Sequence, residues 1–267
     1  MARHPLEGIR AKLDRAREDV AALDREFQSL LDEEPSLIWF KPDRELGWHI
    51  AYITGMRAAP PELSMLAGEA VFHMRSALEH LVWALVKANK KKPGEHNSFP
   101  VALRPYKLGF WETTKTSSLK GVRKSAVAFI EQLQPYHGRD MRQRRSHFIC
   151  VLNHLARIDR HRTLNQHRVA ANPRAIRESL VARPGAEITG FRTLYRSGQR
   201  LVDGTKLARL RVVPYSRLHP KVDVKGALPM LIAFGPRPAV PSAKLAEAEE
   251  LVRWIVDETV RRGFLPA

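Results

Sequence analysis

At 267 residues, 44% of them hydrophobic, the chain is long enough to bury one large core or two small ones, and its composition excludes a disordered polyelectrolyte. Lys and Arg number 45 against 28 Asp and Glu, a net charge of +17 that attracts polyanions, nucleic acid first among them. The single cysteine, Cys150, excludes an internal disulfide; no apolar run approaches the ~20 residues of a membrane span, and the N-terminus is charged from Arg3 onward without a signal-peptide apolar region. The expected setting is the cytoplasm, with no membrane contact.

Leu6, Ile9, Leu13, Ala16, Val20, Leu23, Phe27 and Leu30 follow one another at spacings of three and four, which predicts one long helix from Pro5 to Glu34. Residues 37–57 change to strand character: LIWF, a polar KPDREL turn, then GWHIAYITG. A second long helix is expected over 61–89, ended by Lys90-Lys91-Lys92-Pro93-Gly94. A loop with a Ser98-Phe99-Pro100 turn and a short helix near Phe110 follows, and then a helix over 119–133 stopped by Pro135. The next helix is expected over 141–165. Between 185 and 235 the pattern becomes a β-meander, with Asp203-Gly204 as a hairpin signal. The stretch 235–241 is a stiff Pro-rich linker. Ser242 opens a last helix through Arg262, with Leu245, Ala248, Val252, Ile255 and Thr259 on one face. The fold class expected is α+β: a single domain, 1–267, in which about five helices (5–34, 61–165 and 242–262) form a bundle beside a small antiparallel β-meander built from 37–57 and 185–235.

Two of these helices carry groups capable of chemistry. In the second, Leu66, Ala70, Met74, Ala77, Leu81 and Leu85 share a core side, and Glu69, His73 and His80 share a neighbouring face. Arg75 and Glu79 are one turn apart and can form an i,i+4 ion pair, the plain structural reading of both. The helix over 141–165 aligns His147, His154 and His161 at intervals of seven. Arg157, Asp159, Arg160, His161 and Arg162 lie at its end, and Arg142, Arg144 and Arg145 at its start, where positive charge opposes the helix dipole and a phosphate would relieve it. Glu69, His73, His80, His154 and His161 form an alternative, metal-holding set, although no HExxH or paired ExxH motif accompanies them. Cys150, inside FICVL, is expected to be buried and inert, and the five tryptophans to be core or interface bodies.

Gly68-Glu69 followed by Arg75-Ser76-Ala77-Leu78-Glu79-His80-Leu81, with Asn153 and Asp159-Arg160-His161-Arg162, resembles an uncharacterised bacterial group reading GD-x5-RSALDHLA and N-x5-DKHR. The first segment also resembles the Arg-x4-6-His motif of the HEPN superfamily, helical-bundle proteins that include many metal-independent endoribonucleases of defence and stress systems. Ser76 stands where the nucleases carry Asn, Asp or His. The resemblance implies attack of a ribose 2′-hydroxyl on its phosphate, with no cofactor. His80 would act as general acid or base and Arg75 would stabilise the phosphorane, with Glu79, Asp159, His161 and Arg162 supporting and Arg142, Arg144, Arg145, Arg157 and Arg160 holding phosphates. It further implies RNA as partner, a two-fold homodimer completing the site, and an antitoxin or regulatory partner. The alternative kept beside it is a non-catalytic module that binds nucleic acid or protein.

Overall fold

The seam of the first helix decides where the chain begins to pack. In a computed structural model, α1 spans Pro5–Glu33, and Leu6, Ile9, Leu13, Ala16, Val20, Leu23 and Phe27 are all buried. The structure describes residues 5–33, 37–56, 58–161, 164, 166–170, 173–196, 199–216, 221–224, 230–235 and 240–266. The expected end of α1 at Glu34, the linker residues 236–239 and Arg162 lie outside the described residues. The chain divides into two compact units, one made of residues 1–23, 64–164 and 243–267 and the other of 24–63 and 165–242.

The first unit is helical. Its centre is α2 (Pro61–Ala88), where Ala67, Ala70, Val71, Met74, Ala77, Leu78, Leu81, Val82, Leu85 and Val86 are buried over more than half the helix circumference. Truncating one of these, such as Leu78→Ala, removes contacts worth about 2–5 kcal/mol in a packed core. Around α2 lie α3 (Phe110–Thr114), α4 (Lys124–Gln132), a 3-10 turn at Pro135–His137, α5 (Met141–Ser146) and α6 (Phe148–Asp159). The chain ends in α8 (Ala243–Arg261), whose Leu245, Ala248, Val252, Ile255 and Thr259 are buried as their spacing requires.

Two helices are shorter than their apolar patterns suggest. The expected helix over 119–133 begins only at Lys124. Gly121 adopts φ +86°, outside the right-handed helical region, and a Cβ there would meet Val86 Cγ1 at 3.0 Å. The expected helix over 141–165 breaks at His147, whose extended backbone (φ −62°, ψ 134°) ends α5 and caps α6. The break reverses the dipole argument for the arginines. Arg144 and Arg145 lie in the last turn of α5, where positive charge is favourable, and Asp140 caps its start by accepting from Gln143 N at 2.8 Å.

The second unit holds the strands. β1 (Leu37–Pro42) and β2 (Trp48–Thr54) pair antiparallel as expected, and β5 (Glu187–Thr193) and β6 (Lys206–Val213) join them in the order β1-β2-β6-β5. The rest of the expected meander does not belong to this sheet. β7 (Val222–Val224) pairs with β4 (Leu180–Ala182), and β8 (Met230–Phe234) lies between β3 (Gln166–Ala170) and β9 (Val240–Pro241). A short α7 (Pro173–Glu178) separates β3 from β4. Asp203-Gly204 is a turn, with Gly204 at φ +79°, at the end of the long connection between the paired β5 and β6, and it also docks on β2. Gly204 N donates to Ile53 O at 2.9 Å, and Met56 N donates to Asp203 Oδ1 at 2.7 Å. Among the described residues there are eight α-helices and nine strands in three antiparallel sheets, so the class is α+β, and neither five helices nor one meander describes it.

Candidate functional site

The two motif segments, some eighty residues apart in sequence, meet where α2 passes the C-terminal end of α6. The contact starts at Gly68, against which the Asp159 carboxylate is pressed. A Cβ at Gly68 would lie 2.9 Å from Asp159 Cγ and 3.0 Å from Oδ2. The glycine is therefore the condition for this approach. One turn further along α2 a cleft of about 380 Å³ opens, lined by Phe72, Arg75, Ser76 and Glu79 from α2 and by Ala156, Asp159 and Arg160 from the end of α6.

Arg75 is only 15% exposed and forms the expected i,i+4 ion pair with Glu79. The pair also clamps a backbone that the motif does not include. Arg75 Nη2 donates to Phe99 O at 2.8 Å, and Phe99 N donates to Glu79 Oε2 at 2.8 Å. Phe99 itself is buried, so α2 and the 98–100 segment, which forms no turn, are joined through a paired, charge-assisted contact. The other guanidinium nitrogen, Nη1, is buried without a hydrogen-bond partner. Burial holds Arg75 below the usual arginine value; Glu79 opposes that, and Arg160 adds repulsion. Burial likewise raises Glu79, against the pull of Arg75 and the Phe99 N–H. Asp159 is raised by burial and by the nearby charge of Glu69. Arg160 is exposed, and among the described residues it has no carboxylate partner.

His80 faces a different cleft, of about 480 Å³, lined by Glu79, His80, Trp83, Ala84 and Lys87. The ring is exposed, yet partial desolvation and then the Lys12 ammonium hold it below the usual histidine value, so it is neutral and able to accept a proton near pH 7. Glu79 borders both clefts, with Arg75 on one side and His80 on the other. Met65, Phe72 and Trp83 form an exposed stripe of α2, with Phe72 lining the first cleft and Trp83 the second.

The remaining candidates are spread out. Arg144 is structural, donating from Nε to Gly138 O at 2.8 Å. Arg142, Arg145, Arg157 and His161 are exposed and line neither cleft. Glu69 is half exposed beside Arg15, 3.9 Å away, while His73 and His154 are half-buried. Among the described residues no three His, Cys, Asp or Glu side chains are grouped to hold a metal ion, so Glu69, His73, His80, His154 and His161 do not assemble. Cys150 is half-buried rather than sealed, and burial raises its thiol above the usual value. Trp39, Trp83 and Trp254 are exposed, not core.

Sequence reasoning missed Phe99 as the clamp's target, because a backbone N–H and C=O leave no trace in residue type. It also missed Asp19, a carboxylate of α1 that is almost wholly buried, with Oδ2 unpartnered and Nε of Arg15 3.2 Å from Oδ1. Burial raises its pKa, and Glu69 and His73 lie within its field. Its place beside the apolar seam of α1 was the only signal. No family model, curated protein or solved structure matches this chain.

Proposed function

We propose that this is a HEPN-like protein acting on RNA, a candidate metal-independent endoribonuclease in which an RNA phosphate enters the Arg75–Arg160 cleft and His80 transfers the proton. The carrying observation is the convergence of Arg75, Ser76, Asp159 and Arg160 at one cleft, where Arg75 Nη1 is buried and unpartnered. A phosphate oxygen satisfies that nitrogen once the side chain turns it into the cleft, the exposed Arg160 supplies further positive charge, and Asp159 accepts from a ribose hydroxyl. His80, neutral at pH 7, is suited to take the 2′-hydroxyl proton; the 2′-oxygen then bonds to phosphorus to give a 2′,3′-cyclic phosphate, and the bond from phosphorus to the 5′-oxygen breaks, that oxygen taking its proton from water.

Arg75 and His80 line separate clefts of one copy, so cleavage requires a second copy. The exposed Met65, Phe72 and Trp83 share one stripe of α2, Phe72 lining one cleft and Trp83 the other, and would be the surface through which two α2 helices pair. Cleavage of single-stranded RNA in EDTA tests this directly. His80→Ala loses about 10²–10⁴-fold in rate. Arg75→Lys, which keeps the charge inside the clamp, lacks the second guanidinium nitrogen left for the phosphate and loses activity. Mixing the two inactive variants restores part of the activity, because a mixed dimer contains one site with both native groups. Equal cleavage by wild type and His80→Ala refutes the catalytic assignment. The second reading, a non-catalytic nucleic-acid binder, is favoured by the engagement of Arg75 with Glu79 and Phe99, and it predicts salt-dependent binding with no cleavage by any variant.

A further inference from the structure

The four-stranded sheet presents a face that the helical site does not use. Cross-strand register places Trp39 opposite Tyr52 and Tyr52 opposite Lys206; Lys41 opposite Ile50, Ile50 opposite Arg209 and Arg209 opposite Arg192; and Trp48 opposite Arg211, which faces Gly190. Directly paired residues point to the same side of a sheet, so these form three rows on one face. The other face carries Phe40, Ala51, Ala208 and Leu210, all buried.

The outward rows interleave aromatic rings with cations. Trp39 is 58% exposed at the edge strand. The Lys41 ammonium sits 5.4 Å from the centroid of Tyr52, and Arg209 lies 4.4 Å from that of Trp48. The Trp48 indole reaches over Gly190, where a Cβ would come within 2.7 Å of Cη2. Arg209 is neutralised by Asp43 and Glu45. Lys41, Lys206, Arg192 and Arg211 are exposed and have no carboxylate partner among the described residues. An indole left open on a solvated sheet loses the free energy its burial would give, and four unpaired cations around it repel each other. Both costs are recovered by a ligand that offers flat apolar rings joined by a polyanionic backbone.

We propose that this sheet face binds single-stranded nucleic acid, with bases stacked on Trp39 and Tyr52 and the phosphates running past Lys41, Lys206, Arg192 and Arg211. A duplex keeps its base faces inside the stack and cannot use the rings, and the cations that divide the aromatic area disfavour an apolar protein partner. The inference stands on the sheet alone and does not depend on the reading of Arg75 and His80.

The test is fluorescence anisotropy of the full-length protein with a labelled 12-nucleotide oligouridylate, the same strand lacking bases, and a duplex of equal length. Wild type binds the oligouridylate, and the base-free strand and the duplex bind more weakly. Trp39→Ala/Tyr52→Ala lowers oligouridylate affinity at least about ten-fold and leaves the base-free strand unaffected. Lys41→Gln/Lys206→Gln weakens both single strands and flattens the salt dependence. Trp39→Ala alone changes an exposed side chain, and a native thermal melt for it keeps loss of binding separate from loss of fold. No oligouridylate binding by wild type, an aromatic variant that binds as wild type does, or a duplex bound as tightly as the single strand overturns the proposal. So does binding abolished by Arg75→Lys but untouched by the sheet variants. Lost cleavage with retained oligouridylate binding in His80→Ala leaves the sheet proposal standing.

Discussion

Gly68→Ala separates two opposing effects that the structure makes calculable. An alanine inside a helix is favoured over glycine by about 1 kcal/mol. At this position the new Cβ would lie 2.9 Å from Asp159 Cγ and 3.0 Å from Oδ2, with Oδ1 nearer still. Overpacking of this kind costs about 1–3 kcal/mol. Asp159 is the last residue of α6 and has a short side chain, so relief requires its half-buried carboxylate to turn away or the helix end to move. The expected net effect of Gly68→Ala is destabilisation by roughly 0–2 kcal/mol. In an Asp159→Ala background the obstructing atoms are gone, and the same change stabilises by about 1 kcal/mol. The coupling between the two sites is then about 1–3 kcal/mol, well above the non-additivity of independent positions. Urea unfolding of the four proteins of the cycle, followed by far-ultraviolet circular dichroism, measures it. A coupling below about 0.5 kcal/mol would show that Gly68 is not there to admit Asp159.

Glu79→Gln removes the charge that holds Arg75 and weakens the clamp on Phe99; it should cost about 1.5–3 kcal/mol in thermal unfolding, and a shift below about 0.5 kcal/mol refutes the clamp. Glu258 is held at about 2 by hydrogen bonds from Arg261 and Arg262, below the usual glutamate value, so its contribution is present above the unfolded-state pKa and is lost as pH falls toward 2. In Glu258→Gln the urea midpoint should therefore change less between neutral pH and pH 2 than in wild type, and identical pH profiles would exclude the carboxylate. Arg160→Gln should reduce the salt slope of RNA binding by about one unit, while Arg75→Lys leaves that slope nearly unchanged.

Periodicity carried the parts of the fold in which burial alone selects the structure. The seam of α1 through Phe27, the core side of α2 apart from the half-buried Leu66, and the buried face of α8 were legible, because a long amphipathic pattern admits one helix and one orientation. The break at His147 was not legible, since neither proline nor glycine marks it and the polar run from Arg142 to Ser146 carries no periodicity to interrupt. The three-sheet arrangement was equally hidden. Strands of two to eight residues state their own alternation but not their partner, and β3 and β4 are too short for the alternation to stand out from the basic residues around them. At the candidate site, side-chain identity gave the Arg75–Glu79 pair from spacing, and the clustered motif supplied Asp159 and Arg160. Angular arithmetic on α2 placed Arg75 and His80 on different sectors, in keeping with their separate clefts. The role of Gly68 depended on a neighbour some ninety residues away, which no local pattern encodes.

On the proposed reading, Glu79 explains why Arg75 need not be the group that attracts a phosphate. Its Oε2 is tied to the buried Phe99 N–H, so it stays beside Arg75 when a phosphate arrives, and its charge offsets most of the arginine's field at a distance. What Arg75 retains is a short-range directional donor, Nη1, whose value appears only once an oxygen is in contact. On that proposal the long-range attraction comes instead from Arg160, which is exposed and forms no salt bridge among the described residues, although Glu79 lies within its field. Capture and orientation are, on the same proposal, divided between two side chains of one cleft. Screening by salt acts on the first and leaves the second almost untouched, because the Debye length of ~8 Å at physiological ionic strength exceeds the contact distance of a bound oxygen several-fold.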